Sequence, residues 1–250
     1  VCLVTSKKVE SAKTISCDTF DPKKIKLVTF DVFAALMDLD SSLLKSVAEI
    51  MPGWSSDQVS TVVSKWESGY SSYAGTVFDE SVTGPSPFQW MLKTTLDSIL
   101  KELNLTVTDE EYAALIAAWS KLIPWPGTQG VLEQIYAANF TIGALSNGDK
   151  GTLTNAMTVF QPTVKFTYIF SSDFPVGSFK PDEAMYDQVL YGQGYTAEEI
   201  LHVAGASQDG WGARKAGLYS ALLRSRQYPL PPHPCFLLDD ITDLPAVLGL

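Results

Sequence analysis

The chain has 250 residues, which is enough for one sizeable α/β domain or for a core with a smaller insertion. Hydrophobic residues make up 46% of it, charged residues make up 18%, and no apolar run approaches the roughly 20 residues that a membrane span needs. The formal net charge of −10 opposes binding to nucleic acid or to anionic membranes. The composition therefore predicts a soluble globular protein that does not bind nucleic acid.

The three cysteines, Cys2, Cys17 and Cys235, lack the spacing of a zinc site or of a disulfide framework. They favour a reducing compartment without a disulfide. The chain starts at Val1, and residues 1–20 have neither the apolar stretch of a signal peptide nor the pattern of an Arg-rich leader. Two compartments are therefore possible: the cytoplasm, or the interior of an organelle that the protein reaches with a targeting segment that is later removed.

The first element in chain order is a short apolar run at residues 26–32 that ends in an acid. This pattern predicts a buried parallel strand that presents Asp31 at its carboxyl end. The basic residues Lys23, Lys24 and Lys26 lead into this strand and are expected to be solvated, and Lys7-Lys8 is an equally short basic cluster.

From about Asp40 to Leu122 the pattern is helical and no strand signal interrupts it. Apolar residues recur on one helical face in two early segments, at Leu43, Leu44, Val47 and Ile50 and at Val59, Val62, Val63 and Trp66. Two more helices are predicted over 87–103 and 109–122, the second opened by capping-box spacing between Thr108 and Glu111.

After the Pro-Trp-Pro-Gly segment at 124–127, helices and short apolar strands alternate. The predicted helices span 128–138, 150–159, 182–193 and 209–216, and the predicted strands span 140–145, 166–170, 200–204, 218–223 and 235–238. Such alternation is typical of a doubly wound, Rossmann-like parallel sheet. The expected organisation is an α/β core of residues 1–40 and 124–250 and an inserted helical cap of residues 41–123.

Polar residues follow several of the predicted strands at what would be one edge of the sheet: Asp31, Ser146, Asn147, Lys180 and Asp209. Ligands bind at this edge in doubly wound sheets. Singly, each residue has a structural explanation, because an Asp after a strand, Ser-Asn-Gly and Lys-Pro-Asp all serve as turns or helix starts. Their common order along the chain predicts a site.

Four segments in this order resemble the motifs of the haloacid dehalogenase superfamily, in particular the 2-haloacid dehalogenases. They are Asp31-Val32-Phe33-Ala34-Ala35-Leu36, Leu145-Ser146-Asn147-Gly148, Phe179-Lys180-Pro181-Asp182 with Tyr186, and Val203 to Asp209. The resemblance covers residues 26 to about 225 and implies a core with a helical cap.

The resemblance implies that Asp31 is a nucleophile that displaces a leaving group from carbon and forms an ester, which water then hydrolyses without a cofactor. Lys180 would keep Asp31 ionised, and Asp209 would orient Lys180 or the water. Further residues are expected to contact a small-molecule substrate: Ser146, Asn147, Phe33, Tyr186, Lys65 and Trp211. Phosphoryl transfer within the superfamily needs a second Asp where Phe33 stands, which disfavours a phosphatase and weakens a Mg²⁺ site.

The sequence departs from the dehalogenase pattern at several positions. Ala34-Ala35 replace Gly-Thr, and Ala204-Gly205-Ala206 replace Ser-Ser-Asn. The cap has no Arg to receive a halide, and Lys65 is a nearby substitute of different geometry. The buried-strand residue His202 is expected to be a hydrogen-bonded core histidine. A hydrolase and a pseudoenzyme that binds within a larger complex both stay open, as does a homodimer.

Overall fold

The computed structural model describes residues 15–224 and 231–250. A six-stranded parallel sheet runs through it in the order β5-β4-β1-β6-β7-β8. The strands are β1 (Leu27–Phe30), β4 (Thr141–Leu145), β5 (Phe166–Phe170), β6 (Ile200–Ala204), β7 (Tyr219–Leu223) and β8 (Phe236–Leu238). Every residue of β1 is buried, as expected for a central strand covered on both faces. This sheet confirms the predicted fold class.

Helices pack on this sheet between successive strands, and the cap helices lie between β1 and β4 in the chain. The core helices are α6 (Thr128–Ala137), α7 (Lys150–Met157), α8 (Glu183–Gly192), α9 (Ser207–Lys215) and α10 (Leu244–Val247). The five cap helices are α1 (Leu39–Ile50), α2 (Ser56–Ser72), α3 (Glu80–Thr83), α4 (Pro87–Glu102) and α5 (Asp109–Ala118). The predicted capping box between Thr108 and Glu111 is present at the start of α5.

The two chain passages between the sheet and the cap helices pair with each other. Strand β2 (Met37–Asp38) runs antiparallel to β3 (Ile123–Pro124) and forms a short ribbon. Sequence patterns missed this ribbon because two residues are too few to show a period. The division into a cap of residues 41–123 and a core of 1–40 and 124–250 stays a prediction.

Cys17 and Cys235 form a disulfide, so the prediction of no disulfide is wrong. The two residues are 218 positions apart, so sequence spacing gave no signal of their pairing. Phe20 brings the ends together, since its ring packs edge-on against Tyr219 of β7 and Phe236 of β8. A disulfide is at odds with the reducing compartment that the cysteine count favoured.

Some of the residues named in the sequence analysis lie outside the described ranges: Cys2 and the basic pair Lys7-Lys8. Among the helices of residues 15–224 and 231–250, none is long and apolar enough to cross a membrane.

We expect removal of the disulfide, by Cys17→Ala or Cys235→Ala, to lower the free energy of unfolding by about 2–5 kcal/mol, because the bridge closes a long loop in the unfolded chain. Urea unfolding of each variant measures the loss. Thiol titration under denaturing, non-reducing conditions is the control, and one free thiol is expected from the three cysteines of the sequence. Three free thiols in untreated protein would contradict the pairing.

Candidate active site

The carboxyl ends of neighbouring strands bring the predicted polar residues together. Asp31 follows β1, Ser146 and Asn147 follow β4, and Asp209 lies in the first turn of α9, just after β6. Lys180 comes from the segment between β5 and α8. Because β1 pairs with both β4 and β6, these groups meet above the middle of the sheet.

Both oxygens of the Asp31 carboxylate are held in place. Oδ2 accepts hydrogen bonds from the backbone N–H groups of Ala34 (2.9 Å) and Ala35 (3.3 Å), in a single wide turn over Val32–Leu36. Oδ1 accepts from Lys180 Nζ at 2.8 Å and from Ser146 Oγ at 3.3 Å. Asp31 is 6% exposed, so its orientation is set by protein groups rather than by bulk water.

The Lys180 ammonium is buried and uses all its donors. Nζ donates to Asp31 Oδ1 (2.8 Å), Leu145 O (2.9 Å) and Asp209 Oδ2 (2.7 Å), which accounts for the three protons of an ammonium group. Burial alone would lower the pKa of Lys180, but the charges of Asp209 and Asp31 outweigh it and raise the pKa. Lys180 is therefore a fixed cation beside Asp31.

Asp209 is held in place by hydrogen bonds with two side chains that do not line the cavity. Its carboxylate is 2.9 Å from the Tyr186 hydroxyl, which donates to Oδ1, and 3.1 Å from His202 Nε2. His202 is fully buried, and its Nδ1 lies 3.0 Å from Thr29 Oγ1. Burial would raise the pKa of Asp209, but Lys180 and His202 hold it well below its usual range. His202 thus belongs to the support of the site, a role that the strand pattern around it did not reveal.

The cap closes over the nucleophile through aromatic side chains. Phe33, two residues after Asp31, stacks on Phe88 of α4 with ring centres 5.3 Å apart, and it meets Tyr70 of α2 and Trp119 edge-on. The Tyr70 hydroxyl accepts a hydrogen bond from Asn147 Nδ2 at 3.1 Å. Burial and the nearby Asp31 raise the pKa of Tyr70, so its hydroxyl stays protonated and can donate into the site.

A cavity of about 750 Å³ lies between the cap and the sheet edge, and Asp31, Asn147, Lys180 and Asp209 form part of its wall. The cavity is also lined by residues that the sequence analysis did not assign to the site: Asp38, Asp40, Glu67, Tyr70, Trp125 and Arg224. Asp38, Trp125 and Arg224 lie at or beside the ends of short strands, whereas Glu67 and Tyr70 lie on helix α2. The cavity has the size of a small-molecule site.

Four of the predicted substrate contacts, namely Lys65, Trp211, Ser146 and Tyr186, do not line this cavity. Lys65 lies on the exposed side of α2 and pairs with Glu102 at 2.8 Å. Trp211 donates from Nε1 to Pro231 O, and Lys215 lies over its ring. Lys65 lies on a different helical face from Glu67, two residues further along α2, which does line the cavity. Ser146 and Tyr186 are fully buried and contact Asp31 and Asp209 rather than the cavity.

Within residues 15–224 and 231–250, no group of three or more His, Cys, Asp or Glu side chains is arranged to hold a metal ion. Asp31 and Asp209 are instead paired with Lys180. The other acidic residues of the cavity, Asp38, Asp40 and Glu67, form the part of its lining that we call the cap wall.

Residues 67–223 match the sequence model of the haloacid dehalogenase-like hydrolases. This is more than half of the chain, and the protein belongs to that family. The matched residues include three of the four motifs, and the match confirms the resemblance to this family.

Individual relatives point to one branch of the family. An (S)-2-haloacid dehalogenase of Pseudomonas putida is 25% identical over 194 residues, which cover 78% of this chain and 81% of that protein. (S)-2-haloacid dehalogenase 1 of Pseudomonas sp. strain CBS-3 is 24% identical over 229 residues, or 90% of this chain and 96% of its own. L-2-haloacid dehalogenase from Xanthobacter autotrophicus, solved with chloropropionic acid covalently bound, has the same fold with a TM-score of 0.75, 21% identity and coverage of 90% and 98%.

Glu67 gives the cap wall a pH-dependent charge. Burial, with the nearby charges of Asp40 and Asp38, raises the pKa of Glu67 from 4.5 to about 7. Between these values the folded protein holds more proton at Glu67 than the unfolded chain does, so the free energy of unfolding falls as pH rises through this window. Glu67→Gln should remove a penalty of about 1 kcal/mol at pH 8, after allowance for solvent screening of a half-buried group.

Thermal unfolding of Glu67→Gln at pH 4.5 and pH 8 measures this effect, with Glu110→Gln on an exposed position of α5 as the control. A gain in stability that is the same at both pH values for Glu67→Gln would contradict the shifted pKa.

Gly205 allows the loop after β6 to touch the nucleophile turn. A Cβ at this position would lie 2.3 Å from the carbonyl carbon of Ala34 and 2.4 Å from the nitrogen of Ala35, which are backbone atoms that cannot rotate away. We expect Gly205→Ser, which restores the residue type of the dehalogenase motif, to lower the free energy of unfolding by about 1–3 kcal/mol. Urea unfolding measures the loss, and Gly53→Ser is the matched control because no atom lies within 4 Å of a Cβ there. Equal losses in the two variants would argue against the close contact.

Proposed function

We propose that this haloacid dehalogenase-like hydrolase displaces halide from a small (S)-2-haloacid, with Asp31 as nucleophile. The observation that carries the proposal is the fixed geometry at Asp31, whose Oδ1 lies 2.8 Å from the buried Lys180 ammonium. A carboxylate is a useful nucleophile only while it is ionised and held in one orientation. The similarity to (S)-2-haloacid dehalogenases supports the choice of substrate.

In the first step, an oxygen of Asp31 attacks C2 of the haloacid. The new C–O bond forms as the carbon–halogen bond breaks, and the halide leaves with the electron pair. Lys180 Nζ holds Oδ1 of Asp31, and the N–H groups of Ala34 and Ala35 hold its Oδ2. Asn147 and the Tyr70 hydroxyl offer donors in the cavity wall for the substrate carboxylate or the departing halide.

In the second step, water attacks the carboxyl carbon of the Asp31 ester. The bond to the substrate oxygen breaks, one water proton goes to the departing 2-hydroxyacid, and the other goes to solvent. We assign Asp209 to orienting Lys180, because its depressed pKa makes it a weak proton acceptor. Tyr186 and His202 keep Asp209 in that position.

The pseudoenzyme alternative predicts that the motif substitutions have disabled this chemistry. Ala35, Ala204 and Ala206 do remove polar side chains, but the contacts of Asp31 with Lys180 and with Ser146 are intact. Intact contacts at the nucleophile favour the hydrolase.

Halide release from a panel of short (S)-2-haloacids tests the proposal, each compared with its (R)-enantiomer and with its uncharged amide, because the cap wall carries carboxyl groups. Asp31→Asn should lower the rate by at least about 1,000-fold, since no other group replaces the nucleophile. Asp57→Asn, which changes an exposed carboxylate in the first turn of α2, is the matched control.

Mass spectrometry of acid-quenched protein should show a mass gain on Asp31 equal to the mass of the haloacid less one hydrogen halide. If the protein releases halide from the haloamides but not from the haloacids, Asp31 remains the proposed nucleophile and the proposed substrate class changes from acids to amides. Failure of every substrate, with no mass gain on Asp31, would contradict the proposal and favour a binding role.

A further inference from the structure

The turn that holds Asp31 lacks the hydroxyl that the dehalogenase motif places at residue 35. Ala35 has no polar side-chain atom, so the turn over Val32–Leu36 cannot be fixed from that side chain. The N–H groups of Ala34 and Ala35 nevertheless point at Asp31 Oδ2. Another group must keep these peptides in place.

Arg224, at the end of β7, reaches the same turn from its other side. Its Nη2 donates to the carbonyl oxygens of Ala34 (2.6 Å) and Ala35 (3.0 Å). The guanidinium also lies over the ring of Trp125, 4.6 Å from its centre, and Trp125 N donates to Leu36 O at the end of the turn. The guanidinium is therefore held by the turn and by the linker that returns from the cap.

One peptide unit connects Arg224 directly to the nucleophile. The carbonyl of Ala34 accepts from Arg224, and the N–H of the same peptide, on Ala35, donates to Asp31 Oδ2. A donor at a carbonyl oxygen polarises the peptide and makes its N–H a stronger donor. The cation therefore acts on Asp31 through a bond that also fixes the geometry of the turn.

The backbone of Arg224 is itself in an unfavourable conformation. Its φ of 54° lies in the left-handed region, which residues with a side chain rarely adopt. Such strain is kept where the surrounding contacts require it. Here the contacts of the guanidinium with Ala34, Ala35 and Trp125 supply that requirement.

We propose that Arg224 is a positioning residue for Asp31, which holds the Ala34 and Ala35 peptides so that their N–H groups bind the carboxylate. The catalytic part of this inference rests on the proposed function, whereas the hydrogen-bond part does not. Arg224 acts through the peptide, and Asp31 remains the group that touches the substrate.

Backbone amide hydrogen exchange, followed by NMR, tests the hydrogen-bond part without any substrate. In Arg224→Met, protection of the Ala34 and Ala35 amides should fall about tenfold or more, while amides of β1 and β6 keep theirs. Arg224→Lys should restore part of the protection, because an ammonium can reach one carbonyl but cannot copy the planar fork. Arg214→Met is the matched control, since Arg214 also donates to backbone carbonyls, those of Leu218, His233 and Ile15, away from Asp31.

Halide release tests the catalytic part. A positioning role predicts that Arg224→Met lowers kcat about 10- to 100-fold and changes KM by less than about threefold, with Arg224→Lys between it and the parent. If Arg224→Met does not fold, Arg224→Lys carries both measurements, with losses of protection and kcat that Arg214→Lys does not share.

Unchanged exchange at Ala34 and Ala35 in folded Arg224 variants would overturn the proposal, as would a raised KM at constant kcat, which would make Arg224 a substrate contact. Loss of protection in a series where even the parent protein releases no halide would support the positioning role and reject the dehalogenase function.

Discussion

The site depends on burying one ammonium group between two carboxylates. Taking Lys180 out of water is costly, and only full use of its donors by Asp31, Asp209 and Leu145 O offsets that cost. Each partner reaches Lys180 from a different part of the sheet edge, so the strand order β4-β1-β6 is a precondition of the cluster. The same ion pairs that stabilise the buried Lys180 also give Asp31 a fixed counter-ion. Both the fold and the proposed chemistry therefore require that Lys180 lies between the two carboxylates.

The cap contributes the second condition, which is exclusion of water. Phe33 packs against the rings of Phe88, Tyr70 and Trp119, so the side chain two residues after the nucleophile is used for apolar packing. The remaining cavity wall is acidic at Asp38, Asp40 and Glu67. A carboxylate substrate would be repelled by this wall unless it is turned toward the Asn147 amide, and Glu67 in its protonated form weakens the repulsion. The electrostatics of the cavity therefore favour one orientation of an acidic substrate.

The sequence predicted the parts of this arrangement that have a local signal. Apolar periodicity and strand–helix alternation placed the sheet and the cap helices, and strand ends identified Asp31, Asn147, Lys180 and Asp209. It could not predict groups whose position follows from tertiary contacts, such as Arg224, Glu67 and the His202–Asp209 contact. The same limit explains the disulfide, because the packing of Phe20 on β7 and β8, rather than any spacing, brings Cys17 to Cys235. Lys65 shows the same limit, because the sequence does not reveal which face of α2 lines the cavity.

Substitutions in family motifs gave the strongest reason to doubt catalysis, and their geometry weakens that reason. The backbone of the Ala34–Ala35 turn lies so close to residue 205 that a side chain there would collide with it. Gly205 is therefore required by the path of this turn, and its presence does not by itself indicate loss of catalysis. On the proposed role of Arg224, support of the nucleophile has moved from a side-chain hydroxyl to a guanidinium that acts through the backbone. A preorganised site requires that donors be fixed and aimed, and it is indifferent to which residue fixes them. Counting lost motif residues therefore overstates the damage wherever the backbone N–H groups that contact the nucleophile are still in place.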